Sequence, residues 1–452
     1  MADARRADGA SELERAHAAV ETAMQAGATQ AEATLTVSEH FTAEARDRTL
    51  TKVERSTGKM LQMRIFVGGR KSSLTSSDFD SARLRAAIER AVAQARYVQS
   101  DPLAGLPDRL ETPPAYRDDL DLFASAVAER TAQEKAEEAV ALERRIREID
   151  ARIENSNGSS VGDASATVAF VNSLGLNGSY RSTRVNRSSS PVAHDAGNKR
   201  TGAYGTAARS LDDLETVDAV ARAAVRRTVE LFGARKPPTM RVPVIFERDV
   251  AASVVADLFA ALNAANVATG NSWLADRAGE RIGSDLVRIV DDGCLPGRLG
   301  SSPFDGEGVP TRRTVAVDRG VLRTFLYDTY YARKLGARTT ANAAGGGIGP
   351  NNFYLEAGAG SLEDLIAATP RGVLVLDTIG FAAEHASGMY SRGARGFYVE
   401  NGELAYPIDG FTIAGTFAQM LAGVDRVAGD LRFDASVVSP SFRVAEMTIS
   451  GT

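Results

Sequence analysis

Two adjacent prolines divide this chain. In Arg235-Lys236-Pro237-Pro238 both rings fix φ and two amide donors are lost. The residue before each proline is also pushed out of the helical region. Neither a helix nor a central strand passes through such a stretch. The 452 residues must therefore form at least two units, about 1–234 and 235–452. The length agrees, because it exceeds what one small core organises.

Ahead of the prolines the hydrophobic period switches between 3.6 and 2. Residues 11–24 place Leu13, Ala16, Val20 and Met24 at helical spacing, and His17, placed on that same face, reads as a packed or interface histidine. Residues 31–75 alternate (AEATLTV, FTAEARD, KMLQMRIFVGG), with a turn at Gly68-Gly69. A helix is expected over 80–97, with Leu84, Ile88, Val92 and Ala95 on one stripe. The proline-rich 101–114 reads as a linker or an extended crossing segment. A third helix runs to about Ile149 through Ala132, Ala136, Ala139 and Ile146. Strand-like sequence follows to 209, with Asn177-Gly178 as a hairpin signal and Asn172-Ser173-x-Gly175 as another turn. A fourth helix, 213–232, carries Val217, Val220, Ala224 and Leu231. This gives two helix-and-antiparallel-strand sub-units, about 1–100 and 115–234, without a fixed-period repeat.

Beyond the prolines come a strand (RVPVIFE) and a helix with Val250, Val254, Leu258 and Leu262 on one face. From Asp285 onward short strands and Gly-rich turns argue a β-barrel or sandwich. The fold class is α+β. The sharpest local signal is SRGARGFYVENGELAYP (391–407), where Asn401-Gly402 joins two alternating strands.

Composition narrows the function classes. With 44% hydrophobic and 25% charged residues the chain reads as an ordinary globular protein. A net charge of −5 gives no bulk reason to bind nucleic acid. No apolar run approaches the roughly 20 residues that span a bilayer. One cysteine, Cys294, allows no intrachain disulfide, and the N-terminus lacks the apolar core of a signal peptide. A cytoplasmic protein is expected. The four histidines, His17, His40, His194 and His385, show no helical-turn spacing that would pair them on a metal.

Six motifs occur in order: LAGLPD (103–108), NSLG (172–175), GARKPPTMRVPVIFE (233–247), FDGEGVPTRR (304–313), the 391–407 hairpin and PSFRVAEMTISG (440–451). Together they resemble the TldD/PmbA family. In the TldD branch the resemblance implies a zinc protease, with an H-E-x-x-x-H helix after the entry strand of the C-terminal domain and a late cysteine ligand. Two imidazoles at helical spacing would face the ion, and the glutamate would take a proton from bound water. Here the corresponding segment, 250–265, reads VAASVVADLFAALNAA. It holds no His, Cys or Glu, and its sole acidic residue is Asp257. Residues 421–438 hold no cysteine. The chain thus resembles the PmbA branch, also called TldE, which implies a metal-free subunit. The resemblance further implies a heterodimer with a TldD-like zinc protease subunit, zinc only in that partner, and a narrow chamber admitting unfolded or small peptides. The family is linked to peptide-antibiotic processing and to DNA gyrase.

Other readings stay open at this stage. The chain could be a stand-alone or homodimeric peptide-binding scaffold, or a divergent hydrolase using Asp257 or Glu384. Candidate peptide- or partner-binding residues are Ser391, Arg392, Gly393, Gly396, Tyr398, Glu400, Asn401 and His385. Arg392 is expected to offer its fork to a peptide carbonyl or a partner carboxylate. No catalytic or metal-ligating residue is assigned. Glu384-His385 reads as part of a surface loop, because neighbouring residues point apart. Asp305-Gly306-Glu307-Gly308 reads as a tight turn, with Arg312 and Arg313 pairing to local carboxylates. The run Gly345-Gly346-Gly347 lacks the Gly-Lys-Ser/Thr of a phosphate loop and reads as a flexible loop over a cleft.

Overall fold

The computed structural model describes residues 2–108, 116–380 and 384–451. The protein is α+β. Its N-terminal half is one seven-stranded antiparallel sheet, in the order Arg70–Ser76, Thr49–Val67, Gln30–Arg46, Ile153–Asn172, Asn177–Asp195, Asn198–Thr201. Strand Tyr204–Ala208 also pairs with Asn177–Asp195. Helices Ala2–Gln25 and Ser81–Ala95 bury Ala16, Val20, Ile88 and Val92 against Leu35, Leu61 and Ile65. Helices Ala132–Ile149 and Val217–Val229 bury Leu142, Ile146, Val220 and Ala224 against Ile153 and Ala193. The expected sub-units do not stand apart. Strand Gln30–Arg46 of the first pairs with Ile153–Asn172 of the second, from Glu32 opposite Asn172 to Ala45 opposite Ser159.

Sequence signals set the local elements. Asp80 caps its helix through Arg83 N, and Thr131 with Glu134 forms a capping box. Two expectations need correction. His17 is exposed, because the buried stripe runs through Ala16, Ala19, Val20 and Ala23 and leaves position 17 outside it. Asn177-Gly178 is not a turn. It lies in strand Asn177–Asp195, with Gly178 opposite Phe170. The turn is the NSLG segment, where Asn172 Oδ1 accepts from Leu174 N and Leu176 N at 3.0 Å and Gly175 has φ 93°. Gly178 is small for another reason: a Cβ there would enter the Tyr116 ring.

The C-terminal half closes a five-stranded barrel. Its strands run Glu403–Thr416, Met389–Glu400, Arg371–Ile379, Met240–Phe246, Phe442–Ser450, and the last pairs back to the first. All five send alternate residues into one cluster, including Val244, Val375, Tyr390, Ile413 and Val444. That shared face is the barrel interior. Ile245, Leu374 and Val399 face the other way, onto helix Leu362–Ala367. Helix Arg248–Leu262 leaves the barrel after Phe246 and adds Val250, Val254 and Leu258 to the interior cluster. Its other contacts are with a smaller sheet of strands Val321–Leu322, Arg313–Asp318, Ile289–Asp292, Phe353–Leu355 and Val437–Val438. Phe259 meets Phe353 edge-on at 5.2 Å.

The two halves are tightly joined. Segment 101–108 is bound by Arg333, whose Nη1 donates to Leu103 O at 3.2 Å and Nη2 to Leu106 O at 2.6 Å. The rest of the proline-rich stretch, 109–114, lies outside the described residues, as do 381–383 of the loop before the hairpin. On the far side Arg432 bridges Tyr204 and Glu215. The glycine run forms a two-stranded hairpin, Ala343–Ala344 with Gly347–Ile348, whose base is held by Asn342 Nδ2 donating to Gly349 O at 2.9 Å. No helix among the described residues is long and apolar enough to cross a membrane.

Candidate functional site

Helix Arg248–Leu262 packs its apolar stripe inward, and one carboxylate goes with it. Asp257 is buried, and its Oδ2 accepts from Arg392 Nη2 at 2.6 Å. Arg392 comes from strand Met389–Glu400, opposite Ile413. Its other arm reaches Thr378 Oγ1 at 3.5 Å, and its guanidinium lies 5.7 Å from the Tyr390 ring. Tyr390 is fully buried, edge-on to Phe246 and Phe417. Phe417 stacks on Trp273, and Trp273 N donates to His385 O at 2.9 Å.

Burial raises the Asp257 carboxyl above its ordinary value, and Arg392 and then His385 pull it part of the way back. Burial also raises the Tyr390 hydroxyl. Four buried polar atoms here have no partner among the described residues: Trp273 Nε1, His385 Nδ1, Tyr390 OH and Arg392 Nε. Buried polar groups are almost always paired. Four such atoms around one ion pair leave hydrogen-bonding capacity that no described residue uses. Glu384 is turned to its own loop, where Oε2 accepts from Ser387 Oγ at 2.8 Å.

The expected site divides along the hairpin. His385, Ser391, Arg392 and Gly393 lie at the Asp257 end. Tyr398, Glu400 and Asn401 lie toward the other end, roughly 20–30 Å away at about 3.3 Å per residue. There Tyr398 stacks on Tyr406 and its hydroxyl accepts from Arg371 Nε at 2.8 Å. Asn401 and Gly402 both have positive φ, as a tight hairpin turn requires. Gly396 sits at a register shift where a Cβ would overlap the Leu374 carbonyl oxygen. Arg392 was expected to face a peptide or a partner, and its fork is engaged by Asp257 of its own chain. Trp273 and Tyr390 went unnoticed in the sequence. The signals were present, since Trp273 is the sole tryptophan and Tyr390 directly precedes Ser391-Arg392-Gly393, which is strand and not turn.

A zinc centre does not fit these residues. Among the described residues no three His, Cys, Asp or Glu side chains come together to hold a metal ion. Both carboxylates of helix Arg248–Leu262 are matched by guanidinium groups, Asp249 by Arg227 and Asp257 by Arg392. The Asp305–Gly308 run is a turn, with Asp305 Oδ1 accepting from Glu307 N and Val309 N at 2.9 Å. Arg313 pairs with Glu356 at 3.1 Å.

Known proteins show the same architecture. Residues 31–95 match the PmbA/TldA metallopeptidase domain 1, 126–232 its central domain, and 239–451 its C-terminal domain. The class is therefore metallopeptidase-like. Metalloprotease PmbA of Escherichia coli O157:H7 is 34% identical over 400 residues, covering 88% of this chain and 87% of that protein. A PmbA homolog from Haemophilus influenzae is 32% identical over 438 residues, covering 96% and 94%. A Bacteroides thetaiotaomicron crystal structure, described as a candidate modulator of DNA gyrase, superposes with TM-score 0.91 at 25% identity, covering 97% and 98%. TldE from Thermococcus kodakarensis shares the fold, with TM-score 0.86 at 22% identity over 97% and 100%. The chain belongs to the PmbA/TldD family, on its PmbA branch.

Proposed function

We propose that this chain is the zinc-free, non-catalytic subunit of a TldD/TldE-type metallopeptidase. In this reading a TldD-like partner supplies the zinc and cleaves the bond. This chain completes the chamber that holds unfolded or small peptides. One observation carries the reading: the helix that would bear zinc ligands bears Asp257, already neutralised by Arg392 at 2.6 Å. The unpartnered donors of Trp273, Tyr390 and Arg392 support a role in meeting peptide carbonyl groups at the end of the barrel. An extended peptide offers such acceptors along its whole backbone, so affinity would not require a strict sequence.

The test is reconstitution. The purified chain alone should leave unfolded casein and short peptides intact and carry no stoichiometric zinc. Cleavage should appear on mixing with a TldD-type subunit from the same host. Chelator-sensitive cleavage by this chain alone, or one tightly held zinc per chain, overturns the proposal.

A further inference from the structure

The turn 304–308 is driven into the N-terminal sheet. Phe304 packs against Tyr116, Phe170 and Tyr180 at 4.4, 5.7 and 5.3 Å. Tyr116 OH donates to Gly308 O at 2.7 Å. Gly308 has φ 76° and leaves no room for a Cβ beside Phe170. At the centre, Arg64 of strand Thr49–Val67 bridges Glu32 of the neighbouring strand and Glu307 of the turn, the latter at 2.6 Å. Glu307 Oε2 accepts from Thr329 N at 2.9 Å.

The charges do not balance. Glu32, Asp305, Glu307 and Asp328 are all buried. Asp305 adjoins Glu307 through the turn, and Asp328 caps the helix Thr329–Lys334. Among the described residues these four carboxyls face one guanidinium, with Lys71 of strand Arg70–Ser76 acting from farther off, while Asp305 also accepts from the backbone N–H groups of Glu307, Val309 and Ala343. Glu32 Oε2, Arg64 Nη2 and Thr329 Oγ1 have no partner among the described residues. A buried carboxylate oxygen without a donor is costly when ionised and cheap when the group holds a proton.

We propose that this interface is a pH-sensitive latch between the N-terminal sheet and the C-terminal domain, closed while the carboxyl cluster keeps a proton and loosened as rising pH removes it. Burial raises Glu32, and burial followed by Glu307 raises Asp305 to about 8. A raised acid contributes stability that is present below its unfolded value and lost as pH rises through its folded value. Glu307 has the opposite sign. Despite its burial, Arg64 holds it below the ordinary value, so its contribution is lost on acidification. The latch is therefore tightest between these limits. Both halves of the fold meet here, so loosening it alters how the sheet sits on the barrel domain. The inference does not depend on the peptidase reading.

Hydrogen exchange on the full chain tests it, with rates corrected for the chemical effect of pH. The amides of Glu307, Val309 and Ala343, all bonded to Asp305, report the latch. Amides of Val244 and Val373 in the barrel are the reference. Protection at the latch should fall about tenfold between about pH 7 and about pH 9, while the barrel stays protected. Glu32→Gln keeps an acceptor for Arg64 and removes one titrating carboxyl, so it should flatten that fall. Arg64→Met should loosen the latch at both pH values. Protection independent of pH in the wild type, or an undiminished fall in Glu32→Gln, overturns the proposal.

Discussion

Arg392 Nη2 lies 2.6 Å from Asp257 Oδ2, and the two side chains are only 11% and 9% exposed. The pair joins strand Met389–Glu400 of the 391–407 hairpin to helix Arg248–Leu262. It is buried at the end of the barrel, so its members depend on each other. Of the Arg392 donors, Nη2 is taken by Asp257 and Nη1 by Thr378, and Nε has no partner among the described residues.

Removing one member should strand the other. Arg392→Ala leaves a buried carboxylate and should cost roughly 3–5 kcal/mol in urea unfolding, as should Asp257→Ala. Replacing both, as in Asp257→Leu with Arg392→Met, should recover most of that loss. Two additive single losses would show that the pair is not coupled.

Gly178 and Gly175 separate packing from turn chemistry. Gly178→Ala drives a methyl into the Tyr116 ring and should cost about 1–3 kcal/mol by overpacking. Gly175→Ala meets open space and pays only for φ 93°, about 1 kcal/mol. Thermal unfolding of both variants checks the order. Trimming Tyr116 to Ala should rescue Gly178→Ala and leave Gly175→Ala unchanged.

Asp291 is fully buried among Asn342 and Asn351, and burial raises its carboxyl to about 6. The folded chain holds this proton after the unfolded chain has released it. Its contribution to stability is present below about pH 4 and lost as pH rises through about 6. Asn342 Nδ2 donates to the carboxylate at 2.7 Å and favours the ionised form. Carboxyl carbon titration by NMR should place Asp291 near this value, and Asn342→Ala should push it higher. A fall in that variant would contradict the assignment.

Metal removal should separate the subunits of a reconstituted complex. A chelator should stop cleavage while leaving the melting temperature of this chain, measured alone, unchanged. A drop on chelation would reveal a structural metal in this chain.

Much of the fold was legible because it rests on local periodicity. The helix stripes through Ile88, Val220 and Val254 and the Asn401-Gly402 turn follow from spacing and turn chemistry alone. The His17 error is one of local stripe position, and the other misreadings share a different cause. At Gly178 the sequence offers a hairpin pair, but the smallness serves a ring, Tyr116, brought from 62 positions upstream by the fold. Asp257 is the sole acid of residues 250–265, but its partner lies 135 residues away. No periodic signal reports such a pair. The joining of two sub-units into one sheet was hidden for the same reason, since either strand edge looks complete in isolation.

That joining sets a timetable for synthesis. Strand Gln30–Arg46 receives its second neighbour only when Ile153–Asn172 has emerged, with Glu39 opposite Ser165. At about 5–20 residues per second, a ribosome leaves that edge bare for roughly 6–25 seconds. Through this interval the nascent chain shows an unpaired, partly apolar strand to every neighbour it meets. The hazard for this protein in the cell is therefore greatest before half of it has been made.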